Sequence, residues 1–156
     1  MSGTTTNYAL PYPDETDAAD PAADIKALAQ DADSALHGAV TPADPALSLT
    51  PGTSWAVTTF TAHKAGAVAS IYAKLTYSGS TLTAGSGGNL PDTQCATLPA
   101  GLLPLDIVVP TFDKGGIATG SAYIQTGGAV FLKTVSPTAS INSGDTVEIG
   151  VTYMTG

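Results

Sequence analysis

The side chains able to do chemistry in this chain are few and poorly spaced for it. Cys95 is the single cysteine, and His37 and His63 are the two histidines. A nucleophilic thiol needs a base beside it. No histidine lies near Cys95 in sequence, His63 would have to approach it in space, and a lone cysteine in a strand is ordinarily a small buried hydrophobe. One cysteine excludes an intrachain disulfide and a cysteine-based zinc site. No G-x-S-x-G elbow presents a serine, so a serine triad would have to draw on His37 or His63. A carboxylate pair for glycosidic cleavage would come from Asp92, Asp106, Asp113, Asp145 and Glu148. Asp113 and Asp145 stand in turn-like contexts, where aspartate commonly binds backbone, and Asp106 stands at a strand start. Asp14, Glu15, Asp17 and Asp20 form an acidic cluster with some pull on Ca²⁺, but without EF-hand spacing it reads as a solvated arm. Gly115-Gly116 and Gly127-Gly128 are hairpin glycines rather than phosphate cradles. Trp55, Tyr72, Tyr77 and Tyr123 either stack on a sugar ring or serve as core and interface residues. The expectation is a protein that is not an enzyme and uses no cofactor and no metal.

The charge balance excludes further classes. The 156 residues carry 13 acidic and 5 basic side chains, a net charge of −8, and every basic residue is a lysine. A nucleic-acid binder needs a basic stripe to neutralise phosphates, so no nucleic acid is expected. No apolar run approaches the roughly 18 residues of a membrane span, and no Lys/Arg-led apolar stretch opens the chain, so neither membrane insertion nor a secretory leader is expected. Charged residues make up 12% of the chain, about half the ~25% typical of globular domains. A surface rich in Ser and Thr and poor in charge suits an exposed, β-rich, adhesive or virion-surface module.

Charge is also unevenly placed, and this divides the chain near residue 44. Eight acids and one lysine fall in residues 1–44, against five acids and four lysines in 45–156. The opening segment is extended around Leu10-Pro11-Tyr12-Pro13, because each proline fixes its own φ and biases the residue before it. Tyr8, Leu10 and Tyr12 are large apolar groups on that strip. They pack either on the protein's own body or in a groove of a partner or neighbouring subunit. Asp20 as N-cap and Pro21 at the first helical position predict a helix over about 21–36, stopped at His37-Gly38. Ile25, Leu28, Ala29, Ala32 and Leu36 share one face. So narrow a stripe is unstable alone in water and must pack on something. Val40 to Pro51 is a linker by composition.

Residues 45–156 read as β. Strands are expected at Trp55–Thr61, at Val68–Tyr77 with Ala69, Ile71, Ala73, Leu75 and Tyr77 facing the core, and briefly at Leu82. Gly85–Asn89 reads as a mobile loop. Further strands follow at Thr93–Leu98, at Leu105–Val109 as a buried apolar run, and at Ile117–Gln125 and Ala129–Val135 around a Thr126-Gly127-Gly128 hairpin. The last runs from Val147 to Met154 after a turn at Asn142–Asp145. Such spacing predicts a mainly β fold, a C-terminal antiparallel β-sandwich (jelly-roll-like) preceded by an extended N-terminal arm and one short α-helix.

Two segments carry a resemblance. Asn7-Tyr8-Ala9-Leu10-Pro11-Tyr12-Pro13, followed by Asp20-Pro21-Ala22-Ala23-Asp24-Ile25-Lys26-Ala27-Leu28-Ala29 and Asp33-Ser34-Ala35-Leu36, resembles the opening of small virion proteins of tailed bacteriophages, the minor tail or tail-fibre type, especially in phages of actinobacteria. Leu98-Pro99-Ala100-Gly101-Leu102-Leu103-Pro104, then Gly120-Ser121-Ala122-Tyr123-Ile124 with Gly127-Gly128-Ala129-Val130, closing on Val151-Thr152-Tyr153, is similar to phage receptor-binding head domains, which are trimeric β-sandwiches. Tail fibres usually have a long shaft between anchor and head. The dozen-residue linker here departs from that and suggests a squat attachment.

The resemblance implies a virion surface protein, assembled in the host cytoplasm. Its partners would be other virion proteins of the capsid or tail, copies of itself as a homotrimer, and a host-surface glycan. Residues 1–44 would anchor it through Tyr8, Leu10, Pro11, Tyr12, Pro13, Ile25, Leu28 and Leu36, and residues 45–156 would face outward. Two placements follow, a capsid decoration or spike, or a short tail-tip receptor-binding knob. A carbohydrate-binding or carbohydrate-active β-sandwich unconnected with phage is the third reading.

Overall fold

The computed structural model describes residues 3–4, 11–12, 21–40 and 48–156; within the helix, side chains are described at 23 and 25–34. The chain divides into two compact units, Met1–Thr41 and Pro42–Gly156.

In the first unit β1 (Gly3–Thr4) pairs antiparallel with β2 (Pro11–Tyr12), and α1 runs Pro21–Val40. The helix starts where Pro21 places it but extends past Leu36 and through Gly38. An internal glycine costs only about 1 kcal/mol relative to alanine, too little to stop a helix by itself. Ile25 is 68% exposed and Leu28 44% exposed. Of the expected contact residues, Tyr8, Leu10 and Pro13, and the cap Asp20, lie outside the described residues, as do the side chains of Pro11, Tyr12 and Leu36.

The second unit is built from β3 (Thr50–Pro51), β4 (Trp55–Ala65), β5 (Val68–Tyr77), β6 (Leu82–Thr83), β7 (Asn89–Thr97), β8 (Thr111–Lys114), β9 (Ala118–Ile124), β10 (Ala129–Val135), β11 (Ser140–Ile141) and β12 (Thr146–Met154). Eight of these form one sheet in the order β3-β7-β10-β9-β8-β12-β5-β4, and β6 pairs with β11 beside it. Every pairing is antiparallel. The sheet folds over on itself into a barrel-like sandwich. Ile71, Ala73 and Leu75 of β5 and Ile149 of β12 line one apolar interior with Ala96 of β7, Ile124 of β9 and Val130 of β10. The two layers are therefore halves of one continuous sheet, joined through the short strand β8.

The corner is made by Phe112 of β8 against Gly120 of β9, its partner in register. Phe112 is buried. A Cβ on Gly120 would collide with the Thr134 carbonyl oxygen and the Phe112 ring, so only glycine lets the backbones approach there.

The expected core face of β5 is the buried one, and Val147, Ile149 and Tyr153 of β12 are buried with it. The Gln125–Ala129 hairpin closes with Gly128 at a φ of 85°. Two expectations for this unit fail. Asn89 begins β7, so this strand starts four residues before Thr93 and takes in part of the expected loop. Leu105–Val109 is no buried strand: it is an irregular connector, with Leu105 58%, Ile107 60% and Val109 57% exposed. Its apolar run is bracketed by Pro104 and Pro110, which lack N–H donors and keep a ladder from propagating. Only the Pro104–Thr155 and Val108–Ile124 bridges tie it down.

Candidate functional site

Of the groups first considered for chemistry, the fold brings Asp113 and Glu148 together as register partners across β8 and β12, while Cys95 and His63 form no pair. Cys95 is fully buried, its Sγ 3.4 Å from the Val130 carbonyl oxygen. Burial pushes the thiol up to about 12, the reverse of what a nucleophile needs. His63 is exposed on β4, and the side chain of His37 lies outside the described residues. The body's carboxylates mostly serve local structure. Asp113 accepts the Gly116 N–H across the β8–β9 turn. Asp145 accepts the Asn142 N–H at 2.7 Å and pairs with Lys114 at 2.9 Å. Asp106 is exposed on the 105–109 connector. Among the described residues no three His, Cys, Asp or Glu side chains converge as metal ligands, and no helix is long and apolar enough to cross a membrane.

The four aromatics weighed as sugar platforms part company. Trp55 and Tyr77 are core residues, their rings 4.7 Å apart between centroids. Tyr72 lies on the outer face of the β4-β5-β12 layer, where its hydroxyl donates to Glu148 at 2.8 Å and Lys74 reaches the other carboxylate oxygen at 2.8 Å. The hydrogen bond from Lys74, with that from Tyr72, holds the Glu148 carboxyl below its usual range. The bond to Glu148 raises both Tyr72 and Lys74.

Tyr123 belongs to a more developed surface. On the outer face of β7-β10-β9 the register aligns Gln94, Phe131 and Tyr123 in a row across three strands. The Lys133 ammonium lies 5.4 Å from the Tyr123 ring centre and 5.8 Å from that of Phe131, within cation–π reach. It also pairs with Asp92 at 2.7 Å. Asp92 and Gln94 then line a polar groove of about 430 Å³ with Pro51, Gly52, Thr53 and Thr93, within the size range of small-ligand sites. A Cβ on Gly52 would strike the Gln94 carbonyl oxygen, and the Gly52 N–H donates to Cys95. Glycine thus holds the β3 end close against β7, where the groove lies. Of this surface the sequence pointed to Tyr123 as a sugar platform and to Asp92 as a candidate carboxylate, but not to Gln94, Phe131 or Lys133. Gln94 meets Phe131 because Cys95 is the extra residue of a bulge between Val130 and Phe131, and no sequence signal announces that bulge.

The residues that carried the second resemblance converge as well. Leu98 N–H donates to the Gly128 carbonyl at 2.8 Å, and the Tyr153 hydroxyl donates to the Leu102 carbonyl at 2.6 Å. A Cβ on Gly128 would press on Leu103 and Leu98. The Leu-Pro-Ala-Gly segment, the Gly-Gly hairpin and the closing tyrosine form one packing knot that holds the 98–104 turn against both layers.

These features define a mainly β domain of the folded-over antiparallel sandwich type, with an aromatic and polar outer face. No family model matches the chain, and no curated protein matches it. Among solved structures it is similar to the receptor binding protein (gp15) of Listeria phage PSA, with a TM-score of 0.57 and 17% identity over 90% of this chain and 82% of that one. At that identity the likeness is one of fold.

Proposed function

We propose that this chain is a non-enzymatic structural protein of a bacteriophage virion, attached through its N-terminal residues and presenting the β unit outward to adhere to the host surface. The observation that carries the reading is the fold likeness to a phage receptor binding protein over 90% of the chain. The phage-like grammar of residues 7–36 supports it independently. That neighbour favours a tail receptor-binding placement over capsid decoration, for which no separate observation speaks. Anchoring is assigned to Tyr8, Leu10, Pro11, Tyr12, Pro13, Ile25, Leu28 and Leu36, and the exposed Ile25 and Leu28 favour an apolar partner for the helix. A homotrimer is the proposed assembly, with Leu105, Ile107 and Val109 offering apolar surface for it.

Immunogold electron microscopy of virions, with antibody raised against residues 48–156, tests this. Label at the tail tip is the expected result. Label spread over heads replaces adhesion by decoration, and unlabelled particles overturn the virion role. Deletion of residues 1–40 is expected to abolish incorporation while the β unit stays folded.

A further inference from the structure

We infer that the outer face of β7-β10-β9, at Tyr123, Phe131, Lys133, Asp92 and Gln94, is a saccharide-binding surface selective for neutral hexopyranose units. The inference rests on the adhesion reading above and names its surface and ligand class.

Three observations converge. First, Phe131 and Tyr123 stand directly opposite each other on adjacent strands, with Tyr123 exposed and Phe131 half-buried on the solvent side of the sheet. Aromatic rings attract the weakly positive C–H face of a pyranose through their electron-rich faces, and here two such rings adjoin with the Lys133 ammonium beside them. Second, hydrogen-bonding groups surround these rings. The Lys133 ammonium spends one of its three protons on Asp92. Gln94 commits its amide nitrogen to Thr97 at 2.8 Å, which leaves its carbonyl oxygen to accept a hydroxyl. Paired donors and acceptors suit vicinal hydroxyls, which both give and take hydrogen bonds. Third, the groove along Asp92, Thr93 and Gln94 begins where the aromatic row ends, so a chain of sugars has somewhere to continue.

Charge decides the ligand class. Lys133 is matched by Asp92, and on the opposite layer Lys74 is matched by Glu148. The groove lining carries no charge besides Asp92, which Lys133 already neutralises. A phosphate- or uronate-rich polymer would give up its hydration for no uncompensated positive charge here. Neutral sugars pay no such penalty.

The test is titration of the full chain with neutral oligosaccharides (maltohexaose, cellohexaose, mannohexaose and galactohexaose), and with polyglycerol phosphate and oligoguluronate as anionic probes. Binding is read by saturation-transfer NMR and calorimetry. At least one neutral probe is expected to bind. Tyr123→Ala and Phe131→Ala are each expected to weaken it roughly tenfold, as central aromatic contacts do; Tyr123→Phe retains it, and Tyr72→Ala on the other layer leaves it unchanged. Thermal midpoints close to wild type show that the exposed-ring variants fold. Absence of binding to all four neutral probes, tighter binding to an anionic one, or indifference to both ring truncations overturns the inference. Particle labelling separates the two ideas. A labelled tail tip without neutral-sugar binding sinks this surface and keeps the virion role, whereas sugar binding lost with Tyr123 and no label on particles does the opposite.

Discussion

The ammonium of Lys114, at the end of β8, lies 2.9 Å from the carboxylate of Asp145, which closes the turn into β12. Lys114 is only 7% exposed, so this is the one lysine among the described residues that depends on its partner for burial. Asp145 also accepts the Asn142 N–H at 2.7 Å, and one carboxylate therefore fixes a turn and neutralises a cation at the corner of the sheet. Truncating one partner of a buried pair strands the other charge and costs ~3–5 kcal/mol. Asp145 keeps a quarter of its side chain in water, and that solvent access reduces the expected loss for Asp145→Ala to about 2 kcal/mol. Lys114→Met removes the charge that needs pairing and is expected to cost less. Urea unfolding of both variants decides the order; equal losses would mean that the pair itself carries the stability.

Acid should weaken the fold through the same residue and through Glu148. Burial works against ionisation of Asp145, but the Asn142 N–H and Lys114 outweigh it and leave the carboxyl below its ordinary value. Glu148 is held down by Lys74 and Tyr72. Groups depressed in the folded state contribute stability that is full above their unfolded values, about 4, and is lost as pH falls through the folded ones. The thermal midpoint is therefore expected to be flat from pH 7 to 5 and to fall below about pH 4. Asp145→Asn with Glu148→Gln should flatten that acid limb. A double variant with an unchanged acid limb would move the cause to other carboxylates.

Much of this fold was legible because alternation is a strong signal when one face is buried. In Val68–Tyr77 each second residue is small or apolar, and a one-residue slip would put Lys74 inside. The hairpin at Gly128 was equally plain, since a φ of 85° asks for glycine. The 105–109 run misled because apolar content does not report hydrogen bonding: flanking prolines decided against a strand. The candidate surface was mostly illegible. Phe131, Lys133 and Gln94 are ordinary strand residues until a bulge at Cys95 sets which of them meet. Tyr72 and Tyr123 look alike in sequence, yet one is tied to Glu148 and the other lies beside a second ring.

Glycine at position 120 should be irreplaceable and glycine at 150 dispensable. A methyl at 120 meets backbone oxygen and a buried ring, whereas at 150 it meets nothing within 4 Å. Gly120→Ala is expected to cost about 3 kcal/mol, the upper end of what overpacking costs, because backbone oxygen cannot move aside. Gly150→Ala, in an extended strand, should be neutral or stabilise by about 0.5 kcal/mol. Denaturant midpoints compare the two directly.

Cys95 should behave as a core residue and not as a thiol. With burial pushing it up to about 12, it is expected to stay silent to Ellman's reagent at pH 8 and to react fully in guanidinium. Cys95→Ala, which empties a small buried volume and loses the contact with the Val130 carbonyl, should cost about 1–2 kcal/mol. Rapid labelling of the folded protein would instead indicate that β7 opens locally.

The exposed connector makes the sharpest contrast between stability and assembly. Buried leucines such as Leu132 hold the sandwich together, and Leu132→Ala should cost ~2–5 kcal/mol. Leu105, Ile107 and Val109 face outward, so Leu105→Ser, Ile107→Ser and Val109→Ser should each change unfolding free energy by less than ~0.5 kcal/mol. Two further exposed apolar residues stand close along the backbone: Met154, whose carbonyl accepts the Leu105 N–H at 2.9 Å, and Val68, its register partner on β5. A group of exposed large apolar residues of this kind is a candidate contact site. If the homotrimer uses it, the triple serine variant should sediment as a monomer with an unchanged monomer fold by circular dichroism. A triple variant that remains trimeric would move the subunit contact elsewhere, with the helix stripe at Ile25 and Leu28 as the next surface to substitute.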